Sequence, residues 1–424
     1  MRWGVSIDAG AGAVTAAPLI SVEEALARVL ASASEPLEAE TVALSDALGR
    51  TLARDLASRR VQPPFANSAM DGYALSAVDA ARASARLTVV GESAAGHAFA
   101  GRLLAGQAAR IFTGAPLPEG ADAVAIQEEA RREGEAVVLT APVAAGDYVR
   151  APGLDFAEGE IVLTTGRRLT PRDLALAAAA DHATVAARRR PRVAILATGD
   201  ELVAPGAARG PAQIVACNNF AVAGIAAAAG GEPIDLGLVG DEPQALAAAL
   251  ARARAAEADV LVTLGGASVG DRDLVRQGLA DAGMALGFWR IGMRPGKPLI
   301  HGRLGAMRVL GLPGNPTSST VCAILFLRPL IRALLGDPAA GGDLSEPARL
   351  GAALPAGGPR KEYLRATFAS AIDGAPLATP VASLDSSLVK TLARAEGLIA
   401  RAPDAPPAAA GDLCRVIRFA PLGA

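Results

Sequence analysis

At 424 residues, about half of them apolar, the chain is too long for one ordinary hydrophobic core, so two to four domains are expected. A formal net charge of −2 and only 3% aromatic residues exclude a general polyanion binder and a base-stacking platform. They leave room for a small anionic ligand in one basic pocket.

Cys217, Cys322 and Cys414 are far apart in the chain, as are His97, His182 and His301. That scatter argues for reduced, buried thiols and against a zinc site. The N-terminal residues lack the basic start and apolar run of a signal peptide. No stretch has about 20 uninterrupted apolar residues, so a soluble cytoplasmic protein is expected, without membrane or nucleic-acid partners.

Residues 1–17 read as a tail. Ser21-Val22-Glu23-Glu24 then forms a capping box before a helix whose apolar face includes Leu26, Val29 and Leu30. A second Ala/Leu-rich helix is expected over 37–56. From 61 to 146 the runs LTVV, AVAIQ and AVVLT, separated by glycine turns, predict a β-rich insert. Within it, PPFANSAMDGYA (63–74) has no clean period and reads as a shaped surface loop. Residues 147–190 have linking character and close on a helix from Thr170-Pro171 to about Ala180. Arg188-Arg189-Arg190-Pro191 reads as a solvated junction.

The pattern is clearest from 192 onward. Apolar strands at 193–197, 236–239, 260–264 and 309–312 alternate with helical segments at 218–229, 243–256 and 316–335. Strand, polar loop and helix repeated at this spacing predict a doubly wound parallel α/β domain. Such sheets bind ligands at their carboxyl edge. The expected division is 18–60 with 147–190, 61–146, 191–335 and 336–424, the last holding the short strands LRATF, LIARA and CRVIRF.

Four loops carry candidate chemistry. Gly265–Asp271 is either an anion nest, with Gly265 and Gly266 admitting backbone amides and Ser268 donating, or a tight structural turn. It is not a P-loop, and no GxGxxG follows a strand. In Met293–Pro298, prolines on both sides of Gly296 hold Arg294 and Lys297, as an oxyanion grip or as a turn facing water. Lysine is otherwise confined to Lys361 and Lys390. Pro313-Gly314-Asn315-Pro316 opens a helix with Asn315 as its cap. Asp200 and Glu201 either hold Mg²⁺ through oxygen or cap a helix start.

Together, PPFANSAMDGYA (63–74), RIFTGAPLPEGADAV (110–124), VAILATGDEL (193–202), VTLGGASVGDRDLV (262–275), MRPGKPL (293–299) and GLPGNPTSS (311–319) resemble the MoeA/gephyrin E family of molybdopterin molybdenumtransferases. The resemblance spans roughly residues 20–420. It implies a multidomain α/β and β protein: a linking domain, a β-rich insert, a molybdopterin-binding α/β domain and a C-terminal β-barrel-like domain. It implies a homodimer that takes adenylylated molybdopterin and molybdate, assisted by Mg²⁺, and releases AMP, with contact to the molybdopterin adenylyltransferase. A non-catalytic binding or handover protein is the alternative.

By motif position, the resemblance implies catalytic roles for Asp71, Thr113, Glu201, Asp241 and Asp271, with Asp71 and Thr113 supplied by the partner subunit. Ser268, Lys297, Pro313 and Pro316 match likewise and, with Gly265, Gly266 and Arg294 from the loop reading, would bind substrate, while Asp200, Glu201 and Asp271 would hold Mg²⁺ or orient the substrate. Arg360, Glu362 and Arg365 match the C-terminal domain, where a structural role is expected. Two departures from the family pattern stand out. Ala66 replaces an acidic residue, and residues 214–219 read IVACNN where a basic residue and Asp/Asn-Ser-Asn are usual, so that only the first asparagine, Asn218, is kept.

Overall fold

The computed structural model describes residues 19–266, 274–370 and 374–422. The chain forms two compact units, residues 39–187 and the remainder.

The 39–187 unit is β-rich. Its six-stranded sheet runs, in spatial order, Ala123–Ile126, Gly72–Leu75, Gln107–Ile111, Arg86–Ser93, Ala136–Leu139 and Ala130–Glu133. The three predicted runs are among these strands. The 63–74 segment is only partly the surface loop expected. Phe65 and Met70 are 45% and 40% exposed, yet Asn67–Ser68 pairs with Val149–Arg150 and Gly72–Leu75 is a fully buried strand. Strand partners on both sides of Gly72–Leu75 override its irregular pattern.

The helix expected over 37–56 does not form. The segment is a strand at Ala39–Ala43, a 3₁₀ turn at Leu44–Asp46, and a left-handed glycine at Gly49 (φ 72°). Val42, Ala47, Leu52 and Leu56 pack with Leu163, Leu169, Val185 and Ala187. Burial against those strands outweighs the helix propensity of alanine and leucine. The helix Pro171–Ala179 does form, with Thr170 and Asp173 making a reciprocal capping box.

The other unit holds the α/β core and a barrel. Glu232–Val239, Arg192–Thr198, Val260–Leu264 and Met307–Leu312 are parallel neighbours, as predicted. Two strands that the sequence reading missed, Pro298–Leu304 and Ala285–Arg290, extend the sheet antiparallel at one edge. Two reversals leave Ala285–Arg290 running with the parallel strands, so Arg290 ends at the carboxyl edge. Helices Asn218–Ala229 and Pro316–Leu334 cover one face; Pro243–Ala255 and Leu274–Asp281 cover the other. Pro316–Leu334 is the one helix among the described residues long and apolar enough to cross a membrane, and most of it is buried in this core. A π turn at Ala323–Leu327 interrupts it.

Ser21 caps the helix Val22–Ala31 through Glu24 N–H, but the expected box is half made: the Glu24 carboxylate pairs with Arg28 instead. Beyond residue 345, strands Lys361–Ser370, Pro376–Pro380, Glu346–Leu350, Leu413–Arg418 and Gly397–Arg401 close into a five-stranded barrel. Met293–Arg294 attaches to its outside, parallel to Lys361–Glu362.

Candidate functional site

Strand ends at the carboxyl edge line a cleft of about 700 Å³. It brings together Glu201, Asp241, Gly265, Gly266, Pro313 and Pro316, all expected at the site. The glycines are sterically required. A β-carbon on Gly265 (φ 95°) would lie 2.6 Å from the Thr198 carbonyl oxygen, and one on Gly266 2.1 Å from the Val275 side chain. Ser268 and Asp271 lie outside the described residues.

One wall of the cleft is Ile214–Val215, paired in parallel with Leu202–Val203, followed by Ala216, Cys217 and Asn218. This wall is largely apolar. Asn218 Nδ2 donates to the Gly314 carbonyl at 2.6 Å, tying the wall to the Pro313–Pro316 turn. The sequence reading left this residue unassigned.

A second cavity, about 360 Å³, adjoins the first through Pro298, which lines both. Arg294, Lys297, Arg360 and Arg365 face it with Thr317, Ser318 and Ser386. The barrel, rather than the prolines alone, fixes the Met293–Pro298 loop. Arg294 lies 3.6 Å from Glu362, which also pairs with Arg401 at 3.7 Å, and Arg360 donates to the Met293 carbonyl.

Arg365 is 3% exposed and donates to Thr317 Oγ1 and to the carbonyls of Ser383, Asp385 and Leu388. It has the structural role expected, holding the 383–388 strap against the cavity. Asn315 does not cap its helix. Its amide donates to Ser386 Oγ at 2.8 Å, while the Thr317 N–H donates to the Ser386 carbonyl. Thr317 and Ser318 stood within a matched motif, but nothing in SLDSS pointed to Ser386.

In the other unit, Asp71 Oδ1 accepts both the N–H and the hydroxyl of Thr113, at 2.8 and 2.9 Å. These bonds, with the nearby Arg110 charge, hold the Asp71 carboxyl below its ordinary value.

Three family models match in order: MoeA N-terminal region (domain I and II) at residues 20–180, probable molybdopterin binding domain at 194–333, and MoeA C-terminal region (domain IV) at 347–419. A molybdopterin molybdenumtransferase of Nostoc sp. is 40% identical over 306 residues, covering 70% of each chain. The chain belongs to the MoeA family of molybdopterin molybdenumtransferases. Another relative so named, from Bacillus subtilis, is 36% identical over 388 residues, 90% of this chain and 89% of its own. Two structures of the molybdopterin biosynthesis MoeA protein of Pyrococcus horikoshii superpose with TM-scores of 0.79 and 0.80 at 31% and 27% identity. They cover 95% and 94% of this chain and 99% of their own.

In this MoeA-family cleft the carboxylates act on one another. Partial burial, then Asp200 and Glu201, push the Asp241 carboxyl up from its ordinary value. Asp200 is not on the cleft wall; its Oδ1 accepts the Asp241 N–H at 2.9 Å. Mutual repulsion of this kind suits a divalent cation. Among the described residues no three His, Cys, Asp or Glu side chains form a metal cluster. Mg²⁺ commonly takes only one or two carboxylates, completing its shell with water and ligand phosphates, so the residues present fit it.

Proposed function

We propose that this protein inserts molybdate into adenylylated molybdopterin, releasing AMP. The supporting observation is the cationic cavity of Arg294, Lys297, Arg360 and Arg365 abutting a cleft lined with glycines and carboxylates. A compact oxyanion suits the first, and a larger organic anion with its metal suits the second.

In this reading Lys297, Arg294 and Ser268 hold molybdate beside the organic substrate. Gly265 and Gly266 let backbone approach it, and Pro313 and Pro316 fix the turn below. Glu201 and Asp241, the latter held by Asp200, face the pyrophosphate, and Asp271 acts with them. Mg²⁺, when bound, neutralises charge as that bond breaks. Asp71 and Thr113 complete the site from the second subunit of a homodimer, in the cytoplasm, where the adenylyltransferase delivers the substrate. Positioning and electrostatics carry such a reaction, since no protein nucleophile is needed.

The test is incubation of the purified protein with adenylylated molybdopterin, molybdate and Mg²⁺. AMP release that depends on molybdate is expected. Tight binding without it would make the protein a carrier.

A further inference from the structure

The segment that carries Asp71 is gripped at three points within the β-rich unit. Thr113 holds the carboxylate itself. The Asp71 carbonyl accepts the Gln127 N–H at 3.0 Å, and the next carbonyl, of Gly72, accepts Arg110 Nη1 at 3.2 Å. Arg110 Nη2 donates to Gln127 Oε1 at 2.8 Å, which joins the two backbone clamps. Gln127 Nε2 donates in turn to Glu128 Oε1 at 3.3 Å. Arg110 stands cross-strand from Tyr73, and its guanidinium lies 5.2 Å from the centre of the Tyr73 ring and 4.9 Å from that of Phe112.

Contact with two aromatic rings restrains a guanidinium and leaves its in-plane N–H groups to reach the backbone. Both of these Arg110 hydrogen bonds end on uncharged acceptors, so its charge is left to act through space on the Asp71 carboxylate. Asp71 is only half-buried, and water and salt screen that attraction. The larger effect of Arg110 is therefore geometric, because it fixes the peptide from which Asp71 projects. The neighbouring strand leaves that peptide no slack: a β-carbon on Gly72 would lie 1.9 Å from the Ala125 carbonyl oxygen. Such precision bears on rate, since misplacing a working group by about 1 Å can cost on the order of a hundredfold.

We propose that Arg110 is a positioning residue for Asp71: through the Gly72 carbonyl and Gln127 it sets where the carboxylate points, and it performs no chemistry itself. The proposal rests on the reading that Asp71 takes part in turnover, but the placement of its carboxylate is measurable without turnover.

A double-mutant cycle and a titration test it. Arg110→Met keeps the apolar stem and removes the guanidinium. It should lower kcat about tenfold or more while KM changes by about threefold at most, and Arg110→Lys, which keeps the charge and one hydrogen bond, should restore part of the loss. Because Arg110 acts through Asp71, adding Arg110→Met to Asp71→Ala should lower kcat by no more than about twofold beyond Asp71→Ala alone. By carboxyl NMR, the Asp71 titration should move up towards 3.8 in Arg110→Met, as the Thr113 bonds loosen and the cation is lost, and less far in Arg110→Lys. Losses that multiply in the double variant, or a parent-like Asp71 titration in an Arg110→Met protein with normal Tm, overturn the proposal. So does a parent-like kcat in that protein where Asp71→Ala is impaired. If Arg110→Met does not fold, Arg110→Lys and Gln127→Ala take its place, and parent-like titrations in both have the same meaning. Should the protein release no AMP, or Asp71→Ala turn over at the parent rate, the functional reading or the role of Asp71 fails, and the titration alone decides whether Arg110 places the carboxylate.

Discussion

Asp71 and Thr113, 42 residues apart, are joined by two hydrogen bonds to a single carboxylate oxygen. The backbone N–H contributes most to lowering the Asp71 pKa, and the hydroxyl adds to it. Thr113→Val keeps the first and removes the second, so Asp71 should titrate closer to the ordinary 3.8. A depressed carboxyl favours the folded state above its ordinary pKa and loses that effect as pH falls through the folded value. The acid limb of the pH–rate profile should therefore move to higher pH in the variant. Carboxyl NMR titration and the rate profile check this.

Lys297 faces the cationic cavity without entering the apolar core. Lys297→Ala should lower kcat/KM for molybdate by about 10–100-fold, as expected for a charge-assisted hydrogen bond. Tm should stay within about 2 °C of the parent. Asp71→Ala should likewise impair turnover and leave the fold intact. Parent-like rates in both would refute the site assignment.

Gly296 has φ 108°, and a β-carbon there would lie 2.6 Å from Cys322 Sγ. Gly296→Ala should cost about 1–3 kcal/mol through backbone strain and displace Lys297. Adding Cys322→Ala relieves the clash but not the strain, so denaturant melts should show partial recovery only.

Arg365 links the barrel to the helix start at Thr317 and to three strap carbonyls. Arg365→Ala leaves the buried Thr317 hydroxyl and three part-buried strap carbonyls without this donor, at a cost of about 1–3 kcal/mol. Arg365→Lys cannot reach all four and should recover less than half. Chemical denaturation, with proteolysis of the 383–388 strap, reads the effect.

Asp241 has a raised pKa, so its ionisation works against the folded state once pH exceeds the ordinary carboxylate range. Asp241→Asn should therefore raise Tm at neutral pH, by about 1–2 °C for a partly exposed group. The difference should vanish in acid, where the parent carboxyl is protonated. Turnover should fall in the same variant, and added Mg²⁺ should narrow the Tm gap by neutralising the parent's carboxylates.

Local pattern was legible wherever burial follows chain periodicity. Val260–Leu264 and Asn218–Ala229 were placed to the residue, because a continuous apolar strand and an alanine-rich helical run each mark themselves in sequence. The 37–56 helix failed because its Ala/Leu content favours a helix, while the apolar residues are spaced to meet strands more than 100 residues away. Ala285–Arg290 was missed because Gly287 and exposed Ala285 and Leu286 break any alternation.

The sequence by itself determined the parallel strands, the loops at their carboxyl ends and the family, since these depend on contiguous motifs. Only the tertiary structure decided that the barrel anchors Arg294, that Arg365 and Ser386 wall the smaller, cationic cavity, and that Trp289 gathers two arginines. Each of those depends on contacts between segments distant in the chain, and no local period records which distant backbone a side chain will meet.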